Sequence, residues 1–285
     1  MMDDPNKQLQ DLIRVDPEAW FTTFAVIKDK RGRTISPEPN TLQKKMFEYY
    51  RKCQIEGKPC KMVILKPRQK GASTCAQALT YHHMRKHSDL SGSLMGDISG
   101  TSDKVFEIYR RYAENDAFPW NDTGINLANG GNLVDNIKLD SGSAYGKETA
   151  GSKNAGRSGT IQVGNMTEVA FWPNTGAKDP ALGYLQSLYD GDNLSLVVAD
   201  STPNGPSGWF YRTWVQDNDW AKIFTAWFKF DDSNISFKYI SGINLAIGPL
   251  AAIVPFASSK VMYPSPGAFI SLIAQLFMES KNFLA

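Results

Sequence analysis

The sequence predicts an α/β fold, a mostly parallel sheet flanked by helices, with a poorly specified C-terminal tail. Three observations carry this. Short apolar runs, Met62-Val63-Ile64-Leu65 foremost, end in glycine or small polar residues, as strands buried on both faces do. Between them lie segments long enough for helices and opened by Asn, Thr or Ser. Strand and helix alternate along the chain, the pattern of a parallel sheet whose crossovers cover both faces. A chain of 285 residues can bury one sizeable core.

Taken in order, residues 8–35 read as a short helix and then a strand-turn-strand, turning at Asp29-Lys30-Arg31-Gly32. Lys28, Lys30, Arg31 and Arg33 crowd that turn, and a solvated hairpin accounts for them better than a nucleic-acid contact. Asn40 and Thr41 can cap a helix over 42–53, with Phe47 and Tyr50 spaced for one face. Gly57-Lys58-Pro59 breaks the chain before a strand at 62–65, and a helix is expected over 73–85. A second buried strand at 92–96 precedes a helix over 101–115, capped by Thr101 or Ser102. Residues 118–133 read as a loop and 133–139 alternate like a strand. The stretch 142–159, rich in Gly and Ser and carrying Lys147, Lys153 and Arg157, is expected to be mobile or ligand-facing. Strands at 160–164 and 194–199 follow.

Beyond Asp232 charges become sparse, and the apolar run over 247–257 is broken by Gly248, Pro249 and Pro255. A spanning helix needs about 20 predominantly apolar residues, so a loosely specified tail is expected and no membrane partner. The expected division is an extension over 1–34, a core domain over 35–232 and an atypical tail over 233–285.

Composition is that of a soluble globular protein, with 42% hydrophobic and 21% charged residues, and a net charge of +2 decides nothing about polyanionic partners. Cys53, Cys60 and Cys75 lack metal-ligand spacing and suit a reducing compartment, while the polar N-terminus does not read as a signal peptide. His82, His83 and His87 have neither the glutamate nor the third ligand of a zinc helix and are expected on a helix surface.

Three strand ends carry candidate chemistry. Lys66-Pro67-Arg68-Gln69-Lys70-Gly71-Ala72-Ser73-Thr74 joins a buried strand to a helix through a basic glycine turn, the architecture of a phosphate cradle. It departs from the G-x-x-x-x-G-K-[ST] phosphate loop, because Lys66 stands at the first glycine and Ala72 at the lysine. The backbone from Gln69 to Ser73 is expected to cradle phosphate, with Ser73 holding Mg²⁺ and Thr74 beside it. Thr167-Glu168 ends a strand, and a carboxylate there can orient an attacking water, although Thr167 occupies the slot where such strands carry a magnesium-holding aspartate. Ser201, Thr202 and Asn204 close a further strand and can sense a terminal phosphate through hydrogen bonds.

Together with Gly156-Arg157, Gly208-Trp-Phe-Tyr-Arg-Thr-Trp214 and Ala226-Trp-Phe228, these segments resemble the ATPase domain of tailed-phage terminase large subunits over roughly residues 35–230. The resemblance implies a P-loop NTPase of the ASCE type that binds ATP and Mg²⁺ and hydrolyses ATP to move double-stranded DNA. It implies that Lys66 is the lysine of a deviant phosphate loop, Arg68 a switch arginine for the γ-phosphate, and Glu168 the catalytic glutamate. Thr202 and Asn204 fall on the coupling motif, and Gln43 on the element that reads adenine. Lys70, Gly71 and Ala72 complete the nucleotide loop, and Thr167 would touch the metal only indirectly. Implied partners are a homo-oligomeric ring, a portal protein and a small terminase subunit, in the cytoplasm of a bacterial host. Members of this family continue into a nuclease with clustered acidic ligands. After Asp232 only Glu279 is acidic, so no nuclease is expected in this chain and a truncated or frameshifted prophage gene is one origin. Two rivals stand beside the motor: a helicase-like P-loop enzyme, which would need a second motor domain, and a catalytically weak remnant that only binds DNA or assembles.

Overall fold

The computed structural model describes residues 5–120, 134–150, 159–173, 179–226 and 230. Two helices open it, α1 (Pro5–Val15) and α2 (Pro17–Thr23), the second started by Asp16, whose carboxylate accepts the Glu18 N–H. A hairpin of β1 (Ile27–Lys28) and β2 (Thr34–Ile35) follows, and Asp29 accepts the N–H groups of Arg31 and Arg33 inside its turn. The basic turn is thus organised by its own aspartate.

The body is built from α3 (Thr41–Glu56), β3 (Cys60–Leu65), α4 (Ala72–Lys86), β4 (Ser91–Gly96), α5 (Ser99–Asn115), β5 (Asn136–Lys138), β6 (Ala144–Thr149) and β7 (Val163–Thr167). After a short 3₁₀ turn at Val169–Phe171 come α6 (Pro180–Gln186), β8 (Leu196–Ser201), α7 (Gly208–Val215) and β9 (Ala221–Phe224). Seven strands form one sheet in the order β5-β6-β4-β7-β8-β3-β9, and every pairing is parallel except that of β5 with β6. Burial explains the parallel choice: β3, β7 and β8 present almost no exposed residue on either face, which only a helix-covered sheet permits.

Several expectations change. The segment over 142–159 contains a strand, because β6 pairs along β4 in register from Ser91↔Ala144 to Gly96↔Thr149; residues 151–158, with Lys153, Gly156 and Arg157, lie outside the described residues. Helix α5 starts at Ser99 without a side-chain cap, and Ser102 instead donates to the Glu148 carbonyl at 2.7 Å. Strands β7 and β8 run past the expected 160–164 and 194–199 to Thr167 and Ser201, so the polar residues expected to close those strands belong to the sheet. Two of the three histidines are not on a helix surface: His82 and His83 are wholly buried. Among the described residues no three His, Cys, Asp or Glu could hold a metal, and no helix is long and apolar enough to cross a membrane. The apolar tail lies outside the described residues.

Candidate active site

The loop after β3 owes its shape to two positive-φ positions, Gln69 at 58° and Gly71 at 72°. Glycine is required at 71, since a Cβ there would meet Gln43 Nε2 at 2.7 Å as well as strain the backbone. Gly71 is also the N-cap residue of α4 and offers no side chain to its first N–H groups, so that helix start stays open to an anion. Lys66 to Thr74, together with Asp97, Glu168, Phe171 and Thr202, line an open cleft of about 480 Å³. The cleft lies at the carboxyl ends of β3, β7 and β8, where parallel α/β sheets bind ligands.

Lys66 is the centre of the cluster. Its ammonium donates to Asp200 Oδ2 at 2.9 Å and Ser73 Oγ at 3.0 Å, and pairs with Glu168 Oε1 at 3.2 Å. Burial pushes this lysine's pKa down, but the charges of Asp200 and Glu168 outweigh it and the net direction is up, so the ammonium stays charged. Ser73 in turn donates to Asp200 Oδ2 at 2.7 Å.

Glu168 is the first residue beyond β7 and is held in the left-handed region at φ 54°. The other oxygen of its carboxylate accepts the Thr202 N–H at 3.3 Å and the Thr202 hydroxyl at 3.4 Å. Asn204 donates to the Ala170 carbonyl at 3.0 Å, and the Ala170 N–H donates to Ser201 Oγ at 3.1 Å. The β8 end is therefore tied to the turn that carries Glu168, and Glu168 joins Lys66 to Thr202.

The structure thus brings together Lys66, Ser73, Glu168, Ser201 and Thr202. Arg68 is exposed on the cleft wall, beside Gln69 and Lys70. Gln43 has a structural task besides the one expected of it. It is buried, accepts the Asn40 N–H at 3.0 Å in a capping box, and donates to the Gly71 carbonyl at 3.0 Å. The amide oxygen and one N–H are engaged within the protein and the residue does not line the cleft, so Gln43 braces the loop. Thr167 is buried with its hydroxyl unpartnered, and it too is absent from the cleft lining.

Sequence reasoning passed over Asp200. Its signal was an acid closing the apolar run Leu196-Val-Val-Ala, masked by attention to the hydroxyls behind it. Asp97 at the end of β4 was likewise missed, though it lines the cleft. The residues fit a divalent cation accompanying a polyphosphate: the Ser73 hydroxyl is at hand, and Asp200 Oδ1 is a buried carboxylate oxygen with no hydrogen-bond partner.

A loop strand flanked by two others of the same sheet, a glycine turn at a helix start and an acid on the second strand away make this the fold of P-loop NTPases. Among solved structures, the chain is similar to the large terminase of bacteriophage HK97, with a TM-score of 0.51 and 12% identity over 66% of this chain and 37% of that one. It also aligns with the large terminase ATPase domain of Thermus phage P74-26, with a TM-score of 0.49 and 16% identity over 67% of this chain and 83% of that one. No family model and no curated protein sequence matches the chain.

Proposed function

We propose that this chain is an ATP-hydrolysing motor domain of the kind found in phage terminase large subunits, coupling Mg²⁺-dependent hydrolysis to movement of double-stranded DNA. The observation that carries the proposal is the convergence of Lys66, Ser73 and Glu168 within one cleft, with Glu168 3.2 Å from Lys66.

The phosphates of ATP would lie against the backbone from Gln69 to Thr74, drawn by the open start of α4 and by three cations. Lys66 would turn its ammonium from the two carboxylates to the phosphates, and Arg68 would reach in from the wall toward the terminal phosphate. Ser73 would help hold Mg²⁺, which when bound neutralises charge on the phosphates. Once Lys66 turns away, Glu168 has a carboxylate oxygen with which to orient an attacking water. Loss of the terminal phosphate would return Lys66 to Glu168, and the bonds from Glu168 to Thr202 would carry that change into Ser201–Asn204.

In this reading the chain works in the cytoplasm of a bacterial host, as part of a homo-oligomeric ring with a portal protein and a small terminase subunit. It grips the duplex through its phosphates and therefore with strong salt dependence. A second reading, a weak remnant that binds or assembles without turnover, is favoured by Ala72 and Thr167, which replace the usual lysine and aspartate.

Steady-state ATPase assays with and without duplex DNA separate the two. The motor predicts DNA-stimulated turnover that falls by about 10²–10⁴-fold in Glu168→Gln. Turnover unchanged by that substitution removes Glu168 from the chemistry, and no turnover in the wild type favours the remnant.

A further inference from the structure

We infer that Asp200 supplies the carboxylate of the magnesium shell, in place of the aspartate that position 167 lacks. The inference rests on the nucleotide reading of the cleft given above. Thr167 and Asp200 are paired positions on the adjacent parallel strands β7 and β8, and Asp200 is paired in turn with Ile64 of the loop strand. Paired side chains in a parallel sheet point to the same face. An acid moved one strand sideways, from 167 to 200, therefore still faces α4, and it arrives one strand closer to the loop. There it accepts the Ser73 hydroxyl at 2.7 Å. In P-loop NTPases the metal is held by that loop hydroxyl together with a strand-end aspartate, and Asp200 with Ser73 is that pair.

A second observation is independent of the Ser73 bond. Asp200 is 1% exposed, yet its Oδ1 has no hydrogen-bond partner, and the hydroxyl of Thr167 at the paired position has none either. An unmade bond at a buried carboxylate is costly, and Asp97 Oδ1 on the cleft wall is in the same state. Asp200 Oδ1, next to the carboxylate oxygen that Ser73 reaches, is the one we assign to a hydrated cation. The two acidic tasks usually held by adjacent residues are thereby divided between strands: Asp200 on β8 serves the metal, and Glu168 beyond β7 serves the water.

The test reads metal-dependent binding without turnover. The full chain is titrated calorimetrically with ADP in excess Mg²⁺ and again in excess EDTA, and the ratio of the two dissociation constants reports the metal's contribution. In the wild type Mg²⁺ tightens ADP binding. In Asp200→Asn that gain shrinks by about 10–100-fold, the usual cost of losing a partner of a metal site, while affinity in EDTA holds or improves as Lys66 is released to the phosphates. A folded Asp200→Asn with the wild-type ratio overturns the inference and leaves the nucleotide site standing. Wild type that binds ADP equally with and without Mg²⁺ also overturns it. Wild type that binds no ADP at all defeats the nucleotide reading itself.

Because the substitution also strips a partner from buried Lys66, a second measurement leaves position 200 intact. Asp97→Asn removes the aspartate that lines the cleft, and the chain is labelled with ¹³C at its aspartate carboxylates. Pulsed electron paramagnetic resonance of bound Mn²⁺·ADP then shows ¹³C coupling where Asp200 lies in the metal's shell. No coupling overturns the assignment.

Discussion

Lys66 carries two burdens that a single substitution would confound. It is 9% exposed and neutralises Asp200, an acid 1% exposed, besides facing the cleft where phosphate would bind. Removing one partner of a buried pair leaves an uncompensated charge, at a cost of about 3–5 kcal/mol. Arg68 stands exposed on the same loop and neutralises no buried acid among the described residues. Lys66→Ala is therefore expected to lower stability by about 3–5 kcal/mol, and Arg68→Ala to change it by no more than about 0.5 kcal/mol. Urea denaturation of the two variants checks this. An Arg68→Ala chain that loses nucleotide affinity does so through the site, whereas a loss in Lys66→Ala must first be corrected for folding. Equal stability losses in the two variants would contradict the central position given to Lys66.

At the scale of elements, the loop is held by α3 as much as by its own sequence. Asn40 donates to the Lys70 carbonyl and Gln43 to the Gly71 carbonyl, each at 3.0 Å, so the capped start of α3 grips the turn that starts α4. Gly71→Ala meets Gln43 Nε2 and a positive φ together. The backbone strain alone costs about 1–2 kcal/mol, and nucleotide affinity is expected to fall with it because the cradle must open. Pairing the change with Gln43→Ala relieves the collision but not the φ. Gly71→Ala should therefore cost less in a Gln43→Ala background than in the wild type, as thermal melting of the four chains would show. This brace was invisible in the sequence, where Asn40-Thr41-Leu42-Gln43 signalled only a helix start, because a cap's second partner thirty residues away leaves no local trace. Strand ends were more legible. Apolar runs announced β3 and β8, β7 was read from the strand-like segment at 160–164, and the residues that close the three supplied Lys66, Glu168 and Ser201. Asp200 escaped because its meaning depends on register: only the pairing with Thr167 shows that one acid has taken another's place. The strand β6 escaped because Gly142, Ser143 and Gly146 read as loop, while its pairing with β4 decides otherwise.

For the molecule as a whole, α4 is the beam to which the other layers are fastened, and two buried histidines do part of the fastening. His82 bonds through Nε2 to the Ile13 carbonyl of α1 at 3.0 Å, with its Nδ1 left without a partner. His83 bonds through Nε2 to the Leu194 carbonyl ahead of β8 at 3.1 Å, and its Nδ1 faces the Tyr50 hydroxyl of α3 at 2.8 Å. A carbonyl accepts, so each Nε2 carries a proton and donates, and Tyr50 then donates to His83 Nδ1; both rings are neutral. Burial drives their pKa values down from 6.5, to about 4 for His82 and about 3 for His83. The sign follows from proton uptake. Below the unfolded value the unfolded chain binds protons that the folded chain refuses, so stability is full above about pH 6.5 and is lost as pH falls toward the folded values. Between pH 7.5 and 5.5 each ring contributes a loss of about 1.4 kcal/mol. The pair should then withdraw about twice that, a large share of the 5–15 kcal/mol that holds a typical domain together. Denaturant titrations at the two pH values, repeated on His83→Gln, measure it: the variant starts less stable but shows about half the pH dependence of these two rings. A wild type whose stability is level across that interval would mean that the rings accept protons in place, and the fastening of α1, α3 and β8 to α4 would have to be argued without them.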